Sequence, residues 1–80
     1  MDRKQENMTT LGVYLAQRSV NRAAVSRKTG INKTRLNELA NNTGTKLRAD
    51  ELYLIALAIE ADPCELLKLL CGHLTVAAVK

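Results

Sequence analysis

Apolar positions recur along this chain with the 3.6-residue period of a helix, in five blocks separated by residues that start or stop helices. The first block, about 9–18, sets Leu11, Tyr14, Leu15 and the aliphatic stem of Arg18 on one stripe. Thr9 or Thr10 supplies its N-cap, and Gly12 is placed for a close helix approach. The second block, about 22–29, is punctuated at both ends. Asn21 stands at the N-cap with Val20 and Val25 flanking it as a hydrophobic staple. Thr29-Gly30 stops the helix, because Gly enters the left-handed conformation without a Cβ penalty. Asn32 then caps a third helix, about 33–41, whose Leu36, Leu39 and Ala40 point inward.

The fourth block, ADELYLIALAIE at about 49–60, opens with acids that suit the positive end of a helix dipole and continues with Leu52, Ile55, Ala56 and Ile59 at helical spacing. A buried strand is the rival reading for 52–59, which the charged start and the Ala content disfavour. Leu54, Leu57, Ala58 and Ala61 make this helix apolar on most sides, so it is expected to be buried on both faces, inside the domain or against a second subunit. Asp62-Pro63-Cys64-Glu65 reads as an N-cap, a Pro at the first helical position and a Glu closing a capping box. A fifth helix, about 63–71, follows with Leu66, Leu67 and Leu70 inward, and Gly72 ends it. The expectation is an all-α domain over 9–71, between a polar N-terminal tail (1–8) and a C-terminal tail (72–80).

Composition narrows this further. Eighty residues make one domain, able to bury somewhat over about 60 per cent of its unfolded surface. With no Trp, no Phe and only Tyr14 and Tyr53, its core must be aliphatic, which favours helices packed on helices. The first seven residues are polar with no apolar segment after them, and the run Leu52–Ile59 falls far short of the roughly 20 residues that span a bilayer. A cytoplasmic protein with no membrane partner is expected. Cys64 and Cys71 fit neither a zinc pattern nor a small disulfide framework and read as helix-core residues, with Cys71 and His73 a weak metal alternative. No metal or other cofactor is expected.

Charge changes the picture. Between residues 18 and 48 the chain carries eight cations against Glu38 alone, a net +7, while the remainder nets −3. Residues 21–39, NRAAVSRKTGINKTRLNEL, combine that basic charge with two short helices joined by a three-residue turn at Gly30. Helix, Gly turn, helix is the spacing of a helix-turn-helix unit, and basic charge gathered around it is the electrostatic footprint of a polyanion site. On the second of these helices the outward face comprises Asn32, Lys33, Thr34, Asn37 and Asn41. Lys33 can donate to guanine O6 and N7, Asn37 can pair bidentately with adenine, and Thr34 can touch a thymine methyl. Asn32, Lys33, Thr34 and Asn37 are therefore candidate base contacts. Asn41, Lys46 and Arg48 are candidate phosphate contacts. Arg35 and Glu38 fit a helix-surface role, and Arg18, Arg27 and Lys28 read as steering charges.

The chain resembles the Cro and lambda-repressor type helix-turn-helix family, also called the XRE family, through AAVSRKTGIN, KTRLNEL and ELYLIALAIEADPCELL, over roughly residues 9–71. The resemblance implies a five-helix Cro/repressor-like domain that binds operator DNA, commonly as a dimer, and regulates transcription. It also implies that Arg22, at the start of the second helix, faces the phosphate backbone. The chain departs from the pattern at Ser26 (usually Ala), at Thr29 (frequently apolar) and at Ala40 (often Glu), and its loop NTGTKLR lacks the Pro that commonly precedes the fourth helix.

The expected function is sequence-specific binding of double-stranded DNA by a small transcriptional regulator, a repressor, acting as a homodimer on a palindromic operator. The alternative is an antitoxin-type or other protein-interaction module that uses helix 52–61 and the tail LTVAAV at 74–79, where Thr75, Val76 and Val79 favour a strand. An enzyme is disfavoured: there is one His, no nucleophile arrangement, no glycine-rich phosphate loop and no ligand cluster, and the Asp62–Glu65 carboxylates are explained by capping.

Overall fold

A computed structural model describes residues 8–77. Five helices run in order: α1 (Thr10–Gln17), α2 (Arg22–Thr29), α3 (Lys33–Asn41), α4 (Ala49–Ala58) and α5 (Pro63–Cys71). Among the described residues there is no strand, so the fold is all-α. Each helix starts where a polar group meets its free amides. The Thr9 hydroxyl accepts from Gly12 N, Asn21 Oδ1 from Ala24 N, Asn32 Oδ1 from Thr34 N, and Asp62 Oδ1 from Cys64 N. Thr9, not Thr10, is thus the first cap. The fourth helix starts differently. Glu51 reaches back so that its Oε1 accepts from Arg48 N at 3.0 Å, the arm of a capping box that was expected from Glu65 and falls at Glu51 instead.

Leu11, Leu15, Val25, Ile31, Leu36, Leu39, Leu52, Ile55, Ala56 and Leu66 form one buried cluster drawn from all five helices and the α2–α3 turn. α1 packs on α3 and α5, α2 on α3 and α4, and α4 on α5. α1 approaches α3 closely at Gly12. A Cβ built on Gly12 would overlap the Ala40 carbonyl oxygen and stand 2.9 Å from its carbonyl carbon, and Ala40 itself is fully buried. The same carbonyl accepts from Thr9 N (2.8 Å) and from the Thr9 hydroxyl (3.1 Å), which also donates to Leu39 O (2.7 Å). One threonine therefore caps α1 and satisfies two of the free carbonyls at the end of α3. Ala40 is fully buried, so the Glu common at this position in the resembled family would be placed in the core.

Several expectations are corrected. Within the single chain α4 is buried on one face only, so of the two expected covers the one inside the domain is not found among the described residues: Leu52, Ile55 and Ala56 face the core, while Tyr53 (55% exposed), Leu54 and Leu57 (53%) face outward. α4 also ends at Ala58 rather than about residue 60, because Glu60 adopts the left-handed conformation (φ 60°) and the chain turns back for Ala61 N to bond Ala56 O. Leu67 is 48% exposed, since the α5 stripe that reaches the core contains Leu66 and Leu70 alone. Cys64 and Cys71 are free and exposed, not core residues. Residues 74–77 form no strand, with Val76 standing open to solvent, and Val79 lies outside the described residues, as does most of the N-terminal tail. Among the described residues no helix is long and apolar enough to cross a membrane, and no group of three potential ligands could hold a metal ion.

Candidate nucleic-acid interface

The turn that aims α3 is fixed by side chains as well as by backbone. Gly30 takes φ 80°, and its N–H bonds Ser26 O at 2.9 Å, closing α2. The Ser26 hydroxyl donates to Ile31 O (2.6 Å), and the Thr29 hydroxyl accepts from Ile31 N (3.0 Å) while donating to Val25 O (2.7 Å). Ser26 and Thr29, the two departures from the resembled family in this segment, thus satisfy both polar groups of the Ile31 backbone. Ile31 itself is buried beneath the turn. A residue with a Cβ at position 30 meets no neighbour within 4 Å, so it is the positive φ and not space that calls for Gly there.

With Leu36, Leu39 and Ala40 in the core, α3 presents Asn32, Lys33, Thr34, Asn37 and Asn41 to solvent on one continuous face. Asn32 is partly committed, because its Oδ1 holds the Thr34 amide at 2.7 Å, which leaves its amide nitrogen as a donor. Asn37 is tied to α2: Arg22 Nη1 donates to Asn37 Oδ1 at 3.0 Å. That bond places Arg22, the phosphate candidate, and Asn37, a base candidate, against each other across the helix-turn-helix. It leaves Asn37 its two N–H donors and one lone pair, enough for the bidentate adenine pattern.

Beyond α3, the loop over residues 42–48 carries the remaining cations. Asn42 Oδ1 accepts from Gly44 N (2.9 Å) and Asn42 O from Thr45 N (3.0 Å), so the loop opens as a tight polar turn that needs no Pro. Lys46 and Arg48 are exposed. Arg48 pairs with Asp50 at 3.0 Å, but both side chains are more than half exposed, and such a pair contributes little and exchanges readily for a phosphate. Arg18 stacks its guanidinium 5.1 Å from the Tyr14 ring centroid, away from the α3 face in sequence and occupied by that contact.

Arg35 is the residue whose role sequence reasoning left as helix surface. Its Nε donates to Glu51 Oε2 and its Nη2 to Glu51 Oε1, both at 2.9 Å, and the same Nη2 donates to Lys46 O at 2.8 Å. Glu51 is the one buried charged residue among those described. The guanidinium hydrogen bonds hold its carboxyl below the usual carboxylate range, against the opposing effect of burial, and the Arg48 amide acts in the same direction. The signal available in the sequence was position: Glu51 lies one turn before Ile55 on the inward arc of α4, and an acid there demands a partner.

A carboxyl with a lowered folded-state pKa contributes stability that is fully present above its unfolded value and is lost as pH falls through the folded value. Acid titration followed by circular dichroism should therefore show the parent losing melting temperature more steeply than Glu51→Gln between about pH 5 and pH 3. Parallel curves would show that the pair carries no linked stability.

A family model described as a Cro/C1-type HTH DNA-binding domain matches residues 10–71, which takes in all five helices. No curated protein and no solved structure was found to match the chain.

Proposed function

Because the chain belongs to the Cro/C1-type helix-turn-helix DNA-binding family, we propose that it is a sequence-specific transcriptional regulator, a repressor that binds a palindromic operator as a homodimer with α3 in the major groove. The observation that carries this reading is the division of α3, whose apolar face is locked in the core while its polar face stands free beside Arg22 and the basic loop. Lys33, Thr34 and Asn37, with the free amide of Asn32, read base edges. Arg22, Asn41, Lys46 and Arg48 contact phosphates and set the register, as the exposed cations and the amides at the start of α2 allow. Occupancy of an operator is sufficient for repression, and the cytoplasm is the compartment this reading assigns to the protein.

Homodimerisation is supported by the large apolar side chains that α4 leaves outside the core, Tyr53, Leu54 and Leu57, and by exposed Leu67 and Leu69 on α5. Two-fold symmetry places the recognition helices about 34 Å apart, one turn of DNA. Exposed Leu74 and Val76, after α5, favour a second reading, an antitoxin-type module whose main partner is another protein. Selection of the purified protein against random duplex DNA separates the two. Enrichment of a palindrome with half-sites about one helical turn apart is the expected result, whereas recovery of no preferred sequence would reject the regulator and leave the protein-partner reading.

A further inference from the structure

We infer that Arg35 and Glu51 are positioning residues for DNA: joined to each other, they hold the loop over residues 42–48 so that Lys46 and Arg48 are presented together to the phosphate backbone. The inference rests on the reading that these two loop cations contact phosphate.

The geometry is a knot with four hydrogen bonds. Two run from the Arg35 guanidinium to the two oxygens of Glu51. The other two leave the pair for the loop, one from Arg35 Nη2 to the Lys46 carbonyl and one from the Arg48 amide to Glu51 Oε1. The backbone is thus gripped at the two positions that carry the loop's cations, by an acceptor at one and a donor at the other. Other restraints on the loop are the Asn42 turn at its start, the half-buried Leu47, which packs against the core between the two cations, and the Arg48 carbonyl, which accepts from Leu52 N at 3.0 Å. None of these holds the Lys46 carbonyl or the Arg48 amide, which only the Arg35–Glu51 pair engages among the described residues. Arg35 belongs to α3, so the knot also joins the loop to the helix that reads bases, and phosphate and base contacts share one rigid frame. Stability alone does not account for the pair, because the Arg35 side chain is still 31% exposed and solvent screens part of the attraction. Its bidentate planarity and its reach to two loop peptides serve orientation instead.

Charge gives the inference a discriminating sign. Glu51→Gln removes a negative charge, and by electrostatics alone the folded variant would bind DNA as tightly as the parent or more tightly. If the knot positions the loop, binding weakens instead. The test measures the full-length protein on a mixed-sequence duplex of about two helical turns, with folding verified by circular dichroism at the same temperature, and takes the slope of log K against log salt. The variants are Glu51→Gln, Arg35→Met, Lys46→Ala with Arg48→Ala, and that double variant combined with Glu51→Gln. The loop double variant should reduce the slope by about two units, and Glu51→Gln alone by about one. Adding Glu51→Gln to the loop double variant should change the slope no further. Arg35→Met opens the same knot while removing a cation, so an unchanged slope there counts against the inference even if Glu51→Gln folds poorly, and Glu51→Gln alone carries the sign.

An unchanged slope in the loop double variant would overturn the phosphate assignment of Lys46 and Arg48 and the inference with it. A reduced slope there, together with an unchanged slope in folded Glu51→Gln and Arg35→Met, would overturn the inference alone. So would a further loss when Glu51→Gln is added to the double variant, since the pair would then act on DNA by another route.

Discussion

Gly12→Ala is expected to destabilise the domain by about 3 kcal/mol, at the upper end of what one methyl costs in a packed interface. For a domain of this size about 4 to 8 °C is lost per kcal/mol, so the melting temperature should fall by more than about 12 °C. The magnitude follows from what the methyl meets. The overlapped atom is the backbone carbonyl oxygen of Ala40, not the end of a flexible side chain, and that oxygen is held by both the amide and the hydroxyl of Thr9. Relief requires α1 and α3 to separate, which breaks these bonds and opens the core at Leu11 and Leu39. Gly44→Ala is the control, because its Cβ would approach only the Asn42 side-chain oxygen, at 3.3 Å, in an exposed loop. Equal melting temperatures for Gly12→Ala and Gly44→Ala, by calorimetry, would show that the α1–α3 contact is looser than described.

Asn37→Ala should cost about 1 to 3 kcal/mol of discrimination at one base pair of each half-site, which is about fivefold to 150-fold in relative affinity. Binding to a scrambled duplex should change much less. The bond from Arg22 adds a second expectation. Because Arg22 holds the Asn37 amide, Arg22→Ala should remove part of the discrimination as well as a phosphate contact, and the two substitutions should combine non-additively, with a coupling of about 0.5 to 3 kcal/mol. Additive losses in a double-mutant cycle on the selected operator would mean that the bond between them does not persist on DNA.

Much of the fold was legible because it is written in local chemistry. Asn21, Asn32 and Asp62 cap the helices they precede, Gly30 takes the left-handed turn, and Leu36, Leu39 and Ala40 are inward by period alone. These features depend on residues within one or two turns of each other. What stayed hidden depends on partners distant in the chain. Arg35 and Glu51 are sixteen residues apart, and Arg22 and Asn37 fifteen. No spacing rule joins them until the turn at Gly30 and the loop at 42–48 are in place. The cover for the outer side of α4 is undetermined in the sequence for a related reason. Apolar residues all round a helix state that both faces are to be covered, but not whether the cover is the same chain. Ser26 and Thr29 were noted as small departures from a pattern, while their use as hydrogen-bonding struts to Ile31 required coordinates.

The central claim is that the free face of α3 reads sequence. The measurement that tests it most directly is the affinity of the purified protein for its selected duplex against a scrambled duplex of equal length and composition, followed as salt is raised through the physiological range. The account predicts a ratio of at least about a thousandfold that persists while both affinities fall with salt. A ratio near one at every salt concentration would contradict it and reduce the helix-turn-helix to a basic surface.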